Sequence, residues 1–140
     1  MNYMDDASTF ERSFLQKARQ QHIPITGALE LLPLCNMNCD MCYVRLSRSE
    51  MKCQGQLRTV DEWILLAQQM QKAGTLFLLL TGGEPLLFPD FKTLYLELRN
   101  MGMILTINTN GTLLGESWAD FFAEYRPRRI NITLYGADAA

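Results

Sequence analysis

Histidine occurs once in the 140 residues, no hydrophobic run approaches membrane length, and neither sign of charge dominates. Each shortage excludes something. The single histidine, His22, lies in a polar stretch before Ile23-Pro24, and a lone loop histidine is more often a bystander than a ligand, so it is left out of the site. A membrane helix needs about 20 apolar residues, whereas the stretch Leu76 to Leu80 is strand-sized. Thirteen basic against fifteen acidic residues leave a net charge of −2, which gives no electrostatic reason to expect nucleic acid or an anionic membrane surface as partner. Met1 to Thr9 carries two acids and no apolar run, so it does not read as a secretory signal. Without such a signal, four cysteines favour metal binding in a reducing cytoplasm over disulfides. No repeat, low-complexity tract or interdomain linker interrupts the chain, and the expected partners are small molecules or peptides.

What is present is a chain of one-domain size, 48% hydrophobic and 20% charged. Phe10, Phe14 and Ala18 predict a packing helix over residues 5–20. Residues 25–34 predict the first strand, with Pro33 suiting its end. A polar, partly basic connection over 44–55 has room for a short helix. Thr59 and Glu62 form a capping box that opens a helix with Trp63, Leu66 and Met70 inward, joined by Ile64 or Ala67, and Gly74 stops it. Residues 75–80 are apolar consecutively, which predicts a strand buried on both faces. A helix over 90–101 follows, with Phe91, Leu94, Tyr95 and Leu98 on one face; then a strand over 103–107, a helix over 116–125 carrying Trp118, Phe121 and Phe122, and a strand over 129–135 ending at Gly136. Strands alternating with helices imply an α/β parallel sheet with right-handed crossovers. The expected division is residues 1–24 as a helix and lead-in and 25–140 as the core.

In such sheets the loops at the carboxyl ends of the strands lie side by side and carry the sites. Here those loops hold Cys35-Asn36-Met37-Asn38-Cys39-Asp40-Met41-Cys42, Gly82-Gly83-Glu84-Pro85, Asn108-Thr109-Asn110-Gly111 and Thr133 to Gly136. Three thiolates in one short loop can hold a metal centre, iron–sulfur or zinc, one ligand short of the usual four. Cys53 is a fourth ligand, a ligand to something else, or an idle thiol. The glycine pair reads as a turn with unusual backbone angles or as a place where a ligand approaches the main chain, and Glu84 as a partner for a charged group.

Cys35, Cys39 and Cys42 followed by Tyr43, with Thr81-Gly82-Gly83-Glu84-Pro85 downstream, resemble the signature segments of the radical S-adenosylmethionine (radical SAM) superfamily over residues 30–137. The resemblance implies a partial TIM-like (β/α)6 barrel cut off after about its fourth strand, hence the N-terminal portion of a longer enzyme with an exposed edge strand. It implies a [4Fe–4S] cluster on the three cysteines, with S-adenosylmethionine chelating the open iron. Gly82, Gly83, Glu84 and Pro85 would line its methionine end, with Glu84 near the amino group. Asn110 and Thr133 would contact ribose or carboxylate. Met41 stands where the family often has an aromatic residue near the adenine, and Tyr43 is the candidate in its place. The implied reaction is reductive cleavage of S-adenosylmethionine to a 5′-deoxyadenosyl radical that takes hydrogen from a small-molecule or peptide substrate, with an electron donor such as flavodoxin or ferredoxin. The loop and Arg129-Ile130-Asn131-Ile132-Thr133-Leu134-Tyr135-Gly136 are similar to the SPASM-type branch of peptide-modifying maturases. Two other readings stand beside it: a zinc-stabilised binding module using Cys53 as fourth ligand, and an electron-transfer iron–sulfur protein.

Overall fold

A computed structural model describes residues 9–134, so the expected start of the first helix at residue 5 lies outside the described residues, as do Tyr135 and Gly136; the last strand, expected over 129–135, already ends at Ile132. Four strands, β1 (Thr26–Glu30), β2 (Phe77–Thr81), β3 (Ile104–Thr109) and β4 (Arg129–Ile132), form one parallel sheet in chain order. Helix α1 (Thr9–Gln20) precedes it; α2 (Arg48–Gln54) and α3 (Val60–Lys72) join β1 to β2, α4 (Phe91–Asn100) joins β2 to β3, and α5 (Glu116–Glu124) joins β3 to β4. Parallel neighbours need such crossovers. None of the described helices is long and apolar enough to cross a membrane.

The core lies on one side of the sheet. Leu78 and Leu80 of β2, Leu105 and Ile107 of β3 and Leu29 of β1 pack with Trp63 and Ala67 of α3 and with Phe91, Leu94, Tyr95 and Leu98 of α4. The expectation that β2 is buried on both faces is corrected: Leu78 and Leu80 are 1% and 0% exposed, whereas Phe77, Leu79 and Thr81, facing the other way, are only half-buried. Helices on one side of a parallel sheet are the arrangement of a barrel wall, whose inner face is a second environment. That face and α1 enclose an open cavity of about 520 Å³ lined by Leu15, Arg19, Phe77, Leu79 and Thr106, among others. Arg128 and Glu11 are ion-paired at its rim. In α1, Ala18 is buried but Phe10 is 81% exposed and, among the described residues, stacks on Phe14, so Phe10 is not part of the packing face.

The expected strand over 25–34 ends at Glu30. Beyond it Leu31 still bonds Thr81 at the end of β2, but Leu32 and Leu34 bond the loop that follows, and Pro33 has no N–H to give. The 44–55 connection does contain a helix, α2, opened by a capping box of Ser47 and Glu50. The same device opens α3: Thr59 Oγ1 accepts from Glu62 N at 3.3 Å while Glu62 Oε2 accepts from Thr59 N at 2.7 Å. The two bonds its carboxylate accepts from Thr59, from the main-chain N–H first and then from Oγ1 at 3.2 Å, hold the Glu62 carboxyl below its ordinary pKa. The stability it contributes is therefore present above the unfolded carboxyl's pKa and lost as pH falls through the folded value. Thr59→Ala is expected to destabilise the chain by about 1 kcal/mol, seen as a lower urea midpoint with an unchanged slope.

Candidate functional site

Residues 31–34, which lead into the cysteine loop, are fastened to the end of β2 and the loop after it by main-chain hydrogen bonds. Leu31 N donates to Thr81 O at 2.9 Å, Gly83 N to Leu32 O at 2.8 Å, and Glu84 N to Leu34 O at 2.9 Å. This strap is why Gly82 and Gly83 are glycines. Gly82 has φ +143°, and a Cβ there would meet Leu32 O at 2.5 Å; at Gly83 it would meet Leu34 O at 2.3 Å. The close approach that the glycine pair permits is made by the chain's own backbone. At the far side of the loop Leu46 N donates to Pro33 O at 3.0 Å and closes it.

Glu84 is fully buried, 0% exposed. Its carboxylate accepts from Thr109 Oγ1 at 2.8 and 2.9 Å, from Asn110 N at 2.8 Å and from Leu86 N at 3.1 Å. The last of these caps a short 3-10 turn, Pro85–Leu87, in which the buried Pro85 supplies a first position that needs no N–H. The side chain thus ties the loop after β2 to the end of β3 and does not reach into the space above the sheet. Thr109, 4% exposed, is its partner, and sequence reasoning passed it over. The signal was a hydroxyl residue between two asparagines at a strand end.

Among the cysteines, Cys35 and Cys39 are half-buried and Cys42 is exposed; none is in a disulfide. Cys35 Sγ accepts from Met37 N at 3.4 Å and from Asn110 Nδ2 at 3.6 Å, and Cys42 Sγ from Arg45 N at 3.3 Å. Asn36, also missed from the sequence, bonds Asn110 and Thr112. Tyr43 is 93% and Met41 72% exposed. Thr133 is exposed, with its N–H on Thr109 O at 3.2 Å. Cys53 is exposed on α2. Among the described residues no group of three His, Cys, Asp or Glu is closed around a single point. Main-chain N–H groups are aimed at the Cys35 and Cys42 sulfurs, and such donors are what charged thiolates at a metal centre accept. The donor set therefore fits a three-cysteine cluster.

A profile of the Radical SAM superfamily matches residues 29–139. The sporulation killing factor maturation protein SkfB of Bacillus subtilis is 26% identical over 117 residues, covering 84% of this chain and 28% of that protein. A GTP 3′,8-cyclase of a Cyanothece species is 32% identical over 109 residues, 76% of this chain and 33% of the cyclase. Among solved structures, Streptococcus suis SuiB bound to S-adenosylmethionine superposes with TM-score 0.60 at 19% identity, covering 93% of this chain and 30% of SuiB. SuiB bound to its precursor peptide SuiA gives 0.62 at 20% identity over the same shares. The chain spans about a third of the length of these relatives. The structural likeness establishes the fold, a partial TIM-like barrel wall.

Proposed function

As the chain belongs to the radical SAM superfamily, we propose that residues 25–140 form the part of a radical SAM core that holds the cluster and the methionine end of S-adenosylmethionine, with residues 1–24 as its lead-in. Cys35, Cys39 and Cys42 would be the cluster ligands. Bound there, a [4Fe–4S] cluster supplies the electron that cleaves S-adenosylmethionine to methionine and a 5′-deoxyadenosyl radical, which takes hydrogen from the substrate. The strap supports this reading most directly: three main-chain bonds tie residues 31–34, which lead into the cysteine loop, to Thr81, Gly83 and Glu84, so the two halves of the cofactor site are held in one register. Glu84 and Thr109 keep that strap in place from below. Gly82 and Gly83 would shape the surface along which the methionine end lies, and Pro85, buried, would fix the turn behind it. Tyr43 and Met41, both exposed at the loop's tip, are the side chains available to cover the adenine. Thr133, exposed at the end of the strand beside Thr109, is available to a ribose or carboxylate oxygen.

SkfB is a maturation protein and SuiB is seen with a precursor peptide, which supports a peptide substrate, while the GTP 3′,8-cyclase is the relative that speaks for a nucleotide. The half-exposed inner sheet face offers both apolar and hydroxyl groups to it. A small electron-transfer protein such as flavodoxin or ferredoxin would serve as reductant. The test is electron paramagnetic resonance of the anaerobically reconstituted, dithionite-reduced chain, with iron, sulfide and zinc analysis. The expected result is a reduced [4Fe–4S] signal that shifts on addition of S-adenosylmethionine and is abolished in Cys35→Ala, Cys39→Ala and Cys42→Ala but retained in Cys53→Ala. Bound zinc without a cluster, released by Cys53→Ala, would overturn the reading in favour of a structural module.

A further inference from the structure

We infer that Asn110 is a positioning residue for the cysteine loop, holding Cys35 in place and setting the electrostatic environment of its sulfur, and does not contact S-adenosylmethionine. The electronic half of the inference rests on the cluster reading above. The positioning half rests on geometry alone.

A carboxamide has two donor hydrogens and two acceptor lone pairs. In Asn110 the chain itself occupies all four. Nδ2 donates to Asn36 Oδ1 at 2.8 Å and to Cys35 Sγ at 3.6 Å, and Oδ1 accepts from Thr112 N at 3.0 Å and Thr112 Oγ1 at 2.6 Å. Asn36 Nδ2 donates in turn to Thr112 Oγ1 at 2.7 Å, closing a ring of three side chains that joins the cysteine loop to the end of β3. The Asn110 N–H is given to the Glu84 carboxylate. One residue therefore bonds both of the loops that the strap joins. An amide with no bonding capacity left has nothing to offer a ribose hydroxyl without breaking that ring. What remains for it is orientation, and charge: a donor aimed at a ligand sulfur favours the state carrying more negative charge there, so it raises the reduction potential of a cluster held by that sulfur.

The test has two arms. In the chain without cluster, hydrogen exchange of residues 35–42 should be on the order of tenfold faster in Asn110→Ala, as expected for a loop that has lost its side-chain bonds. Asn108→Ala, which removes the acceptor of the Asn131 amide and no bond to the cysteine loop among the described residues, should leave that segment's exchange as it is. In the reconstituted chain, a redox titration followed by electron paramagnetic resonance should show the midpoint potential falling from wild type to Asn110→Ala and furthest in Asn110→Asp. The aspartate keeps an acceptor for Thr112 but turns an anion toward Cys35. Affinity for S-adenosylmethionine should change less than about twofold in Asn110→Asp, since the side chain is spent on the loop and not on the ligand. Unaltered exchange would overturn the positioning role. An unaltered potential with weakened sulfonium binding would overturn the electronic role and place the residue on the ligand. A wild-type chain that takes up no cluster at all defeats the cluster reading instead, and the exchange arm then still decides whether Asn110 holds the loop.

Discussion

Gly83→Ala is expected to destabilise the chain by about 3 kcal/mol, the sum of overpacking against a rigid neighbour and two main-chain hydrogen bonds. The added Cβ would stand 2.3 Å from Leu34 O, 2.6 Å from Leu34 C and 2.9 Å from Pro33 O. All three atoms are backbone, so no rotamer change relieves the contact. The two segments must part, and parting breaks Gly83 N to Leu32 O and Glu84 N to Leu34 O. Because Cys35 directly follows Leu34, the displacement passes into the ligand loop, and iron bound per chain after reconstitution should fall with stability. Gly115→Ala is the control. It has no atom within 4 Å of the new Cβ and a φ of −89°, so it should change stability by no more than about 1 kcal/mol, all of it from a poorer helix cap. Equal urea midpoints for the two variants would mean that the strap is loose.

Local pattern carried much of the fold. Phe91, Leu94, Tyr95 and Leu98 are spaced at i, i+3, i+4 and i+7, and all four are at most 2% exposed; the Thr59 cap and the glycine stops likewise stand where short-range chemistry puts them. The alternation of strand and helix led to the parallel order because crossovers leave few other choices. Periodicity misled at β2. A run of apolar residues says that each tolerates burial, but not that a layer exists to bury it, and the core helices α3 and α4 lie on the Leu78–Leu80 side.

The site was legible as residue types more than as contacts. Three cysteines in one loop declare thiolate chemistry wherever they fold. A glycine pair declares only that something comes close, and whether a ligand or Leu32 and Leu34 does so depends on partners roughly fifty residues away in sequence, which leave no local trace. Asn36 and Thr109 were invisible for the same reason: their roles exist only once the loops after β1, β2 and β3 lie together, with Asn36 bonding Asn110 and Thr112, and Thr109 bonding Glu84. Glu84 is the instructive case. An acid beside a strand end was read as facing a ligand amine, yet its donors all come from the chain.

Removing that acid is expected to be among the most damaging single changes in the protein. Glu84→Ala leaves the Thr109 hydroxyl and the N–H groups of Asn110 and Leu86 without an acceptor, in a place the solvent does not reach, and should destabilise by about 3–5 kcal/mol. Glu84→Gln nearly preserves the shape but not the pattern. One carboxylate oxygen receives Asn110 N and the other Leu86 N, so whichever way the amide turns, its NH2 faces a donor. It should lose about 2 kcal/mol. Thr109→Val removes the hydroxyl donor at constant volume and should lose about 1 kcal/mol in the wild-type background and less when combined with Glu84→Gln, a non-additivity that a double-mutant cycle on urea midpoints would read. If Glu84→Gln instead matched wild type in stability while S-adenosylmethionine binding disappeared, the carboxylate would belong to the ligand. The opposite result, lower stability with the remaining folded chains still binding the sulfonium, would make Glu84 the tie that holds the strap.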